Sequence, residues 1–122
     1  MKINSYKDLL IWQKGIEIAD VLKKLIDKFP RYEQIFGSGI HLRKTAESIP
    51  SNIAEGNIRQ YTKEYIQFLY TSLGSCAELD TKLIIAKNAS LVSESDYQMI
   101  YGLLEQEMKM TYSLIRKLKC RG

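Results

Sequence analysis

Apolar residues recur along this chain at three- and four-residue steps in four separate stretches, and no run alternates strictly between apolar and polar. In the first stretch Ile11, Gly15, Ile18, Leu22, Leu25 and Phe29 form a heptad seam. This predicts a helix from about Asp8 to Lys28 that packs at a shallow angle on its neighbours. Beside that seam, Leu9, Trp12, Ile16, Ala19 and Ile26 make a second stripe, a wider apolar arc than one seam requires. Trp12 and Ile16 are therefore candidates for a contact between subunits. Asp8 is placed to favour the helix start, and Pro30 to end the helix, because the residue before a proline avoids the helical region.

The stretch from His41 to Asn57 has Leu42, Ala46, Ile49 and Ile53 at helical spacing, with Arg43, Lys44, Glu47 and Glu55 on the other side. Gly56 is placed to stop it. Pro50 stands in its middle, where a proline removes the bond to the carbonyl of Ala46 and costs about 3 kcal/mol in an ordinary helix interior. A split element would leave Asn52 to Glu55 as a single turn, so the reading is one kinked helix. Ser48, Ser51 and Asn52 are there to donate to backbone groups that the kink frees. The turn before it holds Gly37 and Gly39, with Ser38 as the cap. Those glycines lack the GK[ST] and the preceding strand of a phosphate loop.

A third helix is predicted from about Lys63 to Asn88, capped by Thr62, with Tyr65, Leu69, Ser72, Cys76, Leu79, Leu83 and Ala86 in one frame. Its small middle, Gly74 to Ala77, suggests a close helix crossing. Ser93 with Asp96 three residues on resembles a capping box and opens a fourth helix to about Leu118, with Tyr97, Tyr101, Leu104, Met108, Thr111, Ile115 and Leu118 as its seam. Four amphipathic helices with short connections predict an all-α, up-down-up-down four-helix bundle, one domain over residues 1–122.

The string IPSNIAEG, preceded by HLRK, resembles the signature of the four-helix-bundle family named for proteins encoded in intervening sequences of 23S ribosomal RNA genes, also called the ribosomal protein S23 family. DLLIWQKG, the FP that closes the first helix, and EYIQFLYTSLGSCAELDTKL follow the same pattern, which covers roughly residues 8–90. Where the family pattern carries Ser, this chain has Tyr61. That family includes the accessory protein of diversity-generating retroelements, a basic, barrel-shaped pentamer that partners a reverse transcriptase and nucleic acid. The resemblance implies a ring-like homo-oligomer, a pentamer, with RNA or DNA and a protein such as a reverse transcriptase as partner classes.

Composition adds less. An apolar fraction of 45% with 26% charged residues is ordinary for a folded globular chain. The net charge of +4 is modest, but from Lys109 to Gly122 there are five basic residues and no acid. The helix macrodipole accounts for such a run, and so does a phosphate-contacting end. The basic residues that make a candidate nucleic-acid surface are Arg43, Lys44, Arg59 and Lys63 around the signature, then Arg116, Lys117, Lys119 and Arg121. Tyrosines near them could stack on single strands, although at helical spacing they serve equally as core.

The inventory for catalysis is poor. His41 is the single histidine, so the serines lack an ordinary base and a di-metal bundle lacks its Glu-x-x-His pairs. Cys76 and Cys120 have no metal-ligand spacing and suit a reducing compartment. Glu55, Glu64, Glu78 and Asp80 are read as ion-pairing or capping acids. With no apolar leader and no membrane-length apolar run, the sequence predicts a soluble cytoplasmic, non-catalytic binding module that needs no cofactor or metal, the alternative being a protein-interaction scaffold.

Overall fold

The computed structural model describes residues 5–121. After a 3-10 turn at Tyr6–Asp8 come α1 (Leu10–Ile26), α2 (Arg31–Ile35), α3 (Ser38–Asn57), α4 (Thr62–Asn88) and α5 (Glu94–Cys120), with no strand among the described residues. The long helices pack α1 on α3, α3 on α4, α4 on α5, and α5 back on α1, while α2 rests on α3. The result is the up-down-up-down four-helix bundle that the periodicity predicts. Residues 1–4 and 122 lie outside the described residues.

The predicted seams form the core. All six residues of the first seam are buried, as are Leu42, Ala46, Ile49 and Ile53 of α3 and Leu69, Ser72, Cys76, Leu79, Leu83 and Ala86 of α4. In α5 the pattern shifts: Ile100 and Glu107 are buried, while Tyr101 and Met108 are half-buried. A charged residue was a poor core candidate by sequence, and Glu107 takes a fully buried position.

The predicted caps are mostly displaced. Asp8 belongs to the 3-10 turn, which Ser5 caps by accepting from the Lys7 N–H, and α1 starts two residues later without a side-chain cap. α1 ends at Ile26 rather than Lys28, and Pro30 is the N-cap of α2, a helical turn where the sequence suggested a loop. Ser38 is already inside α3, and its N–H is satisfied by Glu33 Oε1 of α2 at 3.1 Å. Tyr61, not Thr62, is the N-cap of α4, with no side-chain cap bond. Ser93 does cap α5, accepting from Asp96 N at 3.1 Å.

α3 runs unbroken through Pro50. Ser48 Oγ lies 2.6 Å from the carbonyl of Thr45, and Asn52 Nδ2 donates to that of Ser48 at 2.8 Å. These bonds serve the carbonyls of Thr45 and Ser48 rather than that of Ala46, and Ser51 is exposed. Gly56 does not stop the helix, which continues to Asn57. It marks the helix crossing instead, because a Cβ there would lie 2.6 Å from Phe68 Cβ of α4. Of the small stretch Gly74 to Ala77, Gly74 faces open space, while Ser75 and Cys76 are buried and Ser75 meets Ser48 of α3.

The α3–α4 packing is laced by polar contacts in antiparallel order. Lys82 Nζ donates to Thr45 Oγ1 at 3.2 Å, Ser48 Oγ is 2.7 Å from Ser75 Oγ, Ser72 Oγ donates to the Ile49 carbonyl at 3.0 Å, and Asn57 Nδ2 donates to Tyr65 Oη at 3.3 Å. Ser72 and Ser75 are small enough to let the helices approach and polar enough to satisfy what lies between them. This is why a helix carrying an internal proline holds its place beside α4.

Candidate nucleic-acid interface

In an up-down bundle the C-terminus of α3, the N-terminus of α4 and the C-terminus of α5 share one end. Arg59 and Lys63 therefore lie toward the same end of the bundle as Arg116, Lys117, Lys119 and Arg121, although more than fifty residues separate the two groups in sequence. All six are exposed. Arg43 and Lys44 stand on the first turns of α3, roughly 20 Å away along its axis at the ordinary helical rise. The topology thus divides the sequence-derived set, with six residues toward one end of the bundle and Arg43 and Lys44 toward the other.

Several of these cations are held in place. Arg59 Nη2 pairs with Glu55 Oε2 at 2.7 Å, and its guanidinium stacks 4.7 Å from the Phe68 ring centroid. Lys119 Nζ donates to Tyr70 Oη at 2.9 Å and lies 5.3 Å from that ring's centroid, joining the end of α5 to α4. Tyr70 remains 40% exposed, so it presents a ring edge next to a cation. Arg116, Lys117 and Arg121 line a shallow cavity with Ser113 and Cys120. Arg116 and Lys117 form no ion pair among the described residues, which leaves their charge free for an anionic partner.

Tyr70 is one of the tyrosines that the sequence leaves open between stacking on a strand and packing in the core. Its spacing reads as part of a helix face, and only the return of α5 brings Lys119 onto it. The acids read as pairing groups are partly that: Glu55 pairs with Arg59, Glu78 pairs with Lys82 at 3.1 Å, and Asp80 accepts from Tyr97 Oη at 2.7 Å. Burial and the Asp80 bond push the Tyr97 phenol up to about 12.

The second apolar stripe of α1 is largely covered by its own chain. Ile26 is buried, and Leu9, Trp12 and Ala19 pack against the core. Trp12 meets Tyr6 edge-on at 5.6 Å, and Ile16 is half-buried. Large apolar residues left exposed lie outside that stripe, among them Leu10 of α1 at 69%, Tyr32 of α2 and Phe36 just after it each at 70%, and Ile85 of α4 at 62%.

Elsewhere the described residues offer little for chemistry. No three of the His, Cys, Asp and Glu side chains come together as a metal site, and His41 is exposed on the rim of a cavity with Ser38, Leu42, Lys82 and Ile85. No helix is long and apolar enough to cross a membrane among the described residues.

No curated protein matches the sequence. A crystal structure of a protein of unknown function from the S23 ribosomal protein family of Bacteroides thetaiotaomicron superposes with a TM-score of 0.79 at 20% identity, covering 87% of this chain and 98% of its own. That likeness establishes the bundle fold. The model of the 23S rRNA-intervening sequence protein family matches residues 7–113, nearly the whole bundle and the signature around Pro50, and the chain belongs to that family.

Proposed function

We propose that this protein is a non-catalytic, homo-oligomeric module that contacts RNA or DNA through the basic end of its bundle. The reading rests on the placement of Arg59 and Lys63 toward the same end of the bundle as Arg116, Lys117, Lys119 and Arg121, with the partly exposed Tyr70 beside Lys119. A phosphate strand crossing that end meets cations from both α4 and α5. Binding is then tolerant of sequence and strongly weakened by salt, because each neutralised phosphate releases counterion. In a ring, a pentamer by family resemblance, symmetry repeats the cluster, and weak contacts add as avidity. Trp12 and Ile16 are the proposed subunit contacts. The protein works in the cytoplasm, without cofactor or metal.

The test is fluorescence anisotropy of labelled single-stranded and duplex RNA and DNA at two salt concentrations, on protein of known oligomeric state. Replacing Arg116, Lys117, Lys119 and Arg121 together by Gln should reduce affinity and flatten the salt dependence without altering the assembly. Undiminished binding by that variant would place the surface elsewhere, with Arg43 and Lys44 next to be replaced. Absence of binding at low salt would favour the second reading, a protein-interaction scaffold with a partner such as a reverse transcriptase. The exposure of Tyr32 and Phe36 supports that alternative, since large exposed apolar side chains beside one another suit a protein contact.

A further inference from the structure

Each of the four long helices contributes to an unusual centre in the bundle. Glu107 of α5 is fully buried, and neither carboxyl oxygen has a hydrogen-bond partner. It sits where α1 and α3 come close. A Cβ added to Gly15 would lie 3.3 Å from Glu107 Oε2 and 3.1 Å from Cβ of Pro50. The absence of a side chain at Gly15 thus makes room for both the carboxyl and the proline ring. From α4, the buried Cys76 completes the surroundings.

We propose that Glu107 is a proton-operated latch: the bundle closes around it as a neutral carboxylic acid, and loss of the proton loosens the packing of α5 against α1 and α4. An ionised carboxylate removed from water needs a directly paired cation or several donors, and neither oxygen of Glu107 has a hydrogen-bond partner. Lys14 of α1 is the nearest opposing charge, but its Nζ is engaged by Glu17 at 3.1 Å. α3 presents the Pro50 ring, and α4 presents the Cys76 thiol, which burial and the neighbouring Glu107 push up to about 12 and so keep uncharged. On α5 itself, Thr111 spends its hydroxyl proton on the backbone carbonyl of Glu107 at 2.7 Å, not on the carboxyl.

Burial pushes the Glu107 carboxyl up to about 8 from an ordinary 4.5, with Lys14 opposing the shift. The consequence has a definite sign. Below the ordinary value both folded and unfolded chains hold the proton, and stability is greatest. Between the two values the unfolded chain has released its proton while the folded chain retains it, so stability falls as pH rises, by about tenfold in the unfolding constant per pH unit. Above the folded value the loss is complete and levels off.

The experiment compares equilibrium denaturation of the full chain with that of Glu107→Gln, a neutral side chain of the same shape, at matched ionic strength and protein concentration. Between about pH 5 and about pH 8 the ratio of wild-type to variant unfolding constants should rise by roughly several hundredfold, with the variant the more stable at the alkaline end. Amides of α5 around Glu107 should also exchange faster in the wild type than in the variant at alkaline pH. Parallel stability profiles or equal exchange would overturn the proposal. Carboxyl carbon-13 NMR of the intact wild type requires no variant: a Glu107 signal that titrates near neutrality or above supports the latch, and one that titrates in the ordinary carboxylate range overturns it.

Discussion

Two glycines show how far a residue's meaning depends on what approaches it. A methyl group at Gly56 would meet Phe68 Cβ at 2.6 Å and Tyr65 Cδ1 at 3.1 Å, so α3 and α4 would have to separate. Gly56→Ala should therefore destabilise the protein by about 1–3 kcal/mol, in the manner of an overpacked core. Gly74 has nothing within reach of an added methyl, and Gly74→Ala should stabilise by up to about 1 kcal/mol through helix propensity alone. Urea denaturation of the pair reads both signs. Ser90 carries a φ of 67° in the turn that closes α4, where its N–H bonds the Lys87 carbonyl and that of Leu91 bonds the Ala86 carbonyl. This is the left-handed position that glycine favours after a helix, so Ser90→Gly should stabilise by roughly 1 kcal/mol.

Between helices, the α3–α4 pair holds the polar register that makes an internal proline tolerable. Ser72 is buried and donates to the Ile49 carbonyl, one residue before Pro50. Ser72→Ala leaves that carbonyl without its cross-helix donor, and the cost should be about 1–3 kcal/mol by thermal or chemical unfolding. The helices themselves were legible from periodicity, because each buries one face and its apolar residues must share that face. Their starts were less so. Ser38 and Thr62 have the chemistry of caps, yet α3 takes its acceptor from Glu33 on α2, and α4 begins after an uncapped Tyr61. The energy of one cap is about 1 kcal/mol, small enough for packing to shift a helix start by a residue.

At the scale of the whole molecule, the proposed homo-oligomer requires that light scattering at micromolar concentration report a mass above the 14.1 kDa of a single chain. Ile16→Glu should lower that mass, because a half-buried stripe that tolerates one chain's solvent edge does not tolerate a charge within a subunit contact. A monomeric wild type would remove the ring from the proposed function. An unchanged mass for the variant would move the interface toward the exposed Tyr32 and Phe36. The nucleic-acid reading separates from both outcomes, since the basic end belongs to each chain and its weak contacts gain from symmetry only if a ring forms.

The number of long helices, their buried seams and the family signature were determined by the sequence itself, since 3.6-residue periodicity and local residue chemistry are written into neighbouring positions. Which end of the bundle each charge occupies was decided by tertiary structure. Arg59 and Lys63 share an end with the C-terminal basic residues because antiparallel packing returns α5 to that end, while Arg43 and Lys44, nearer to them in sequence, are carried away by the length of α3. Glu107 is the clearest case. Along the chain it is one more acid on an amphipathic helix, but the meeting of Gly15, Pro50 and Cys76 around it removes water, and desolvation alone makes it a neutral core residue.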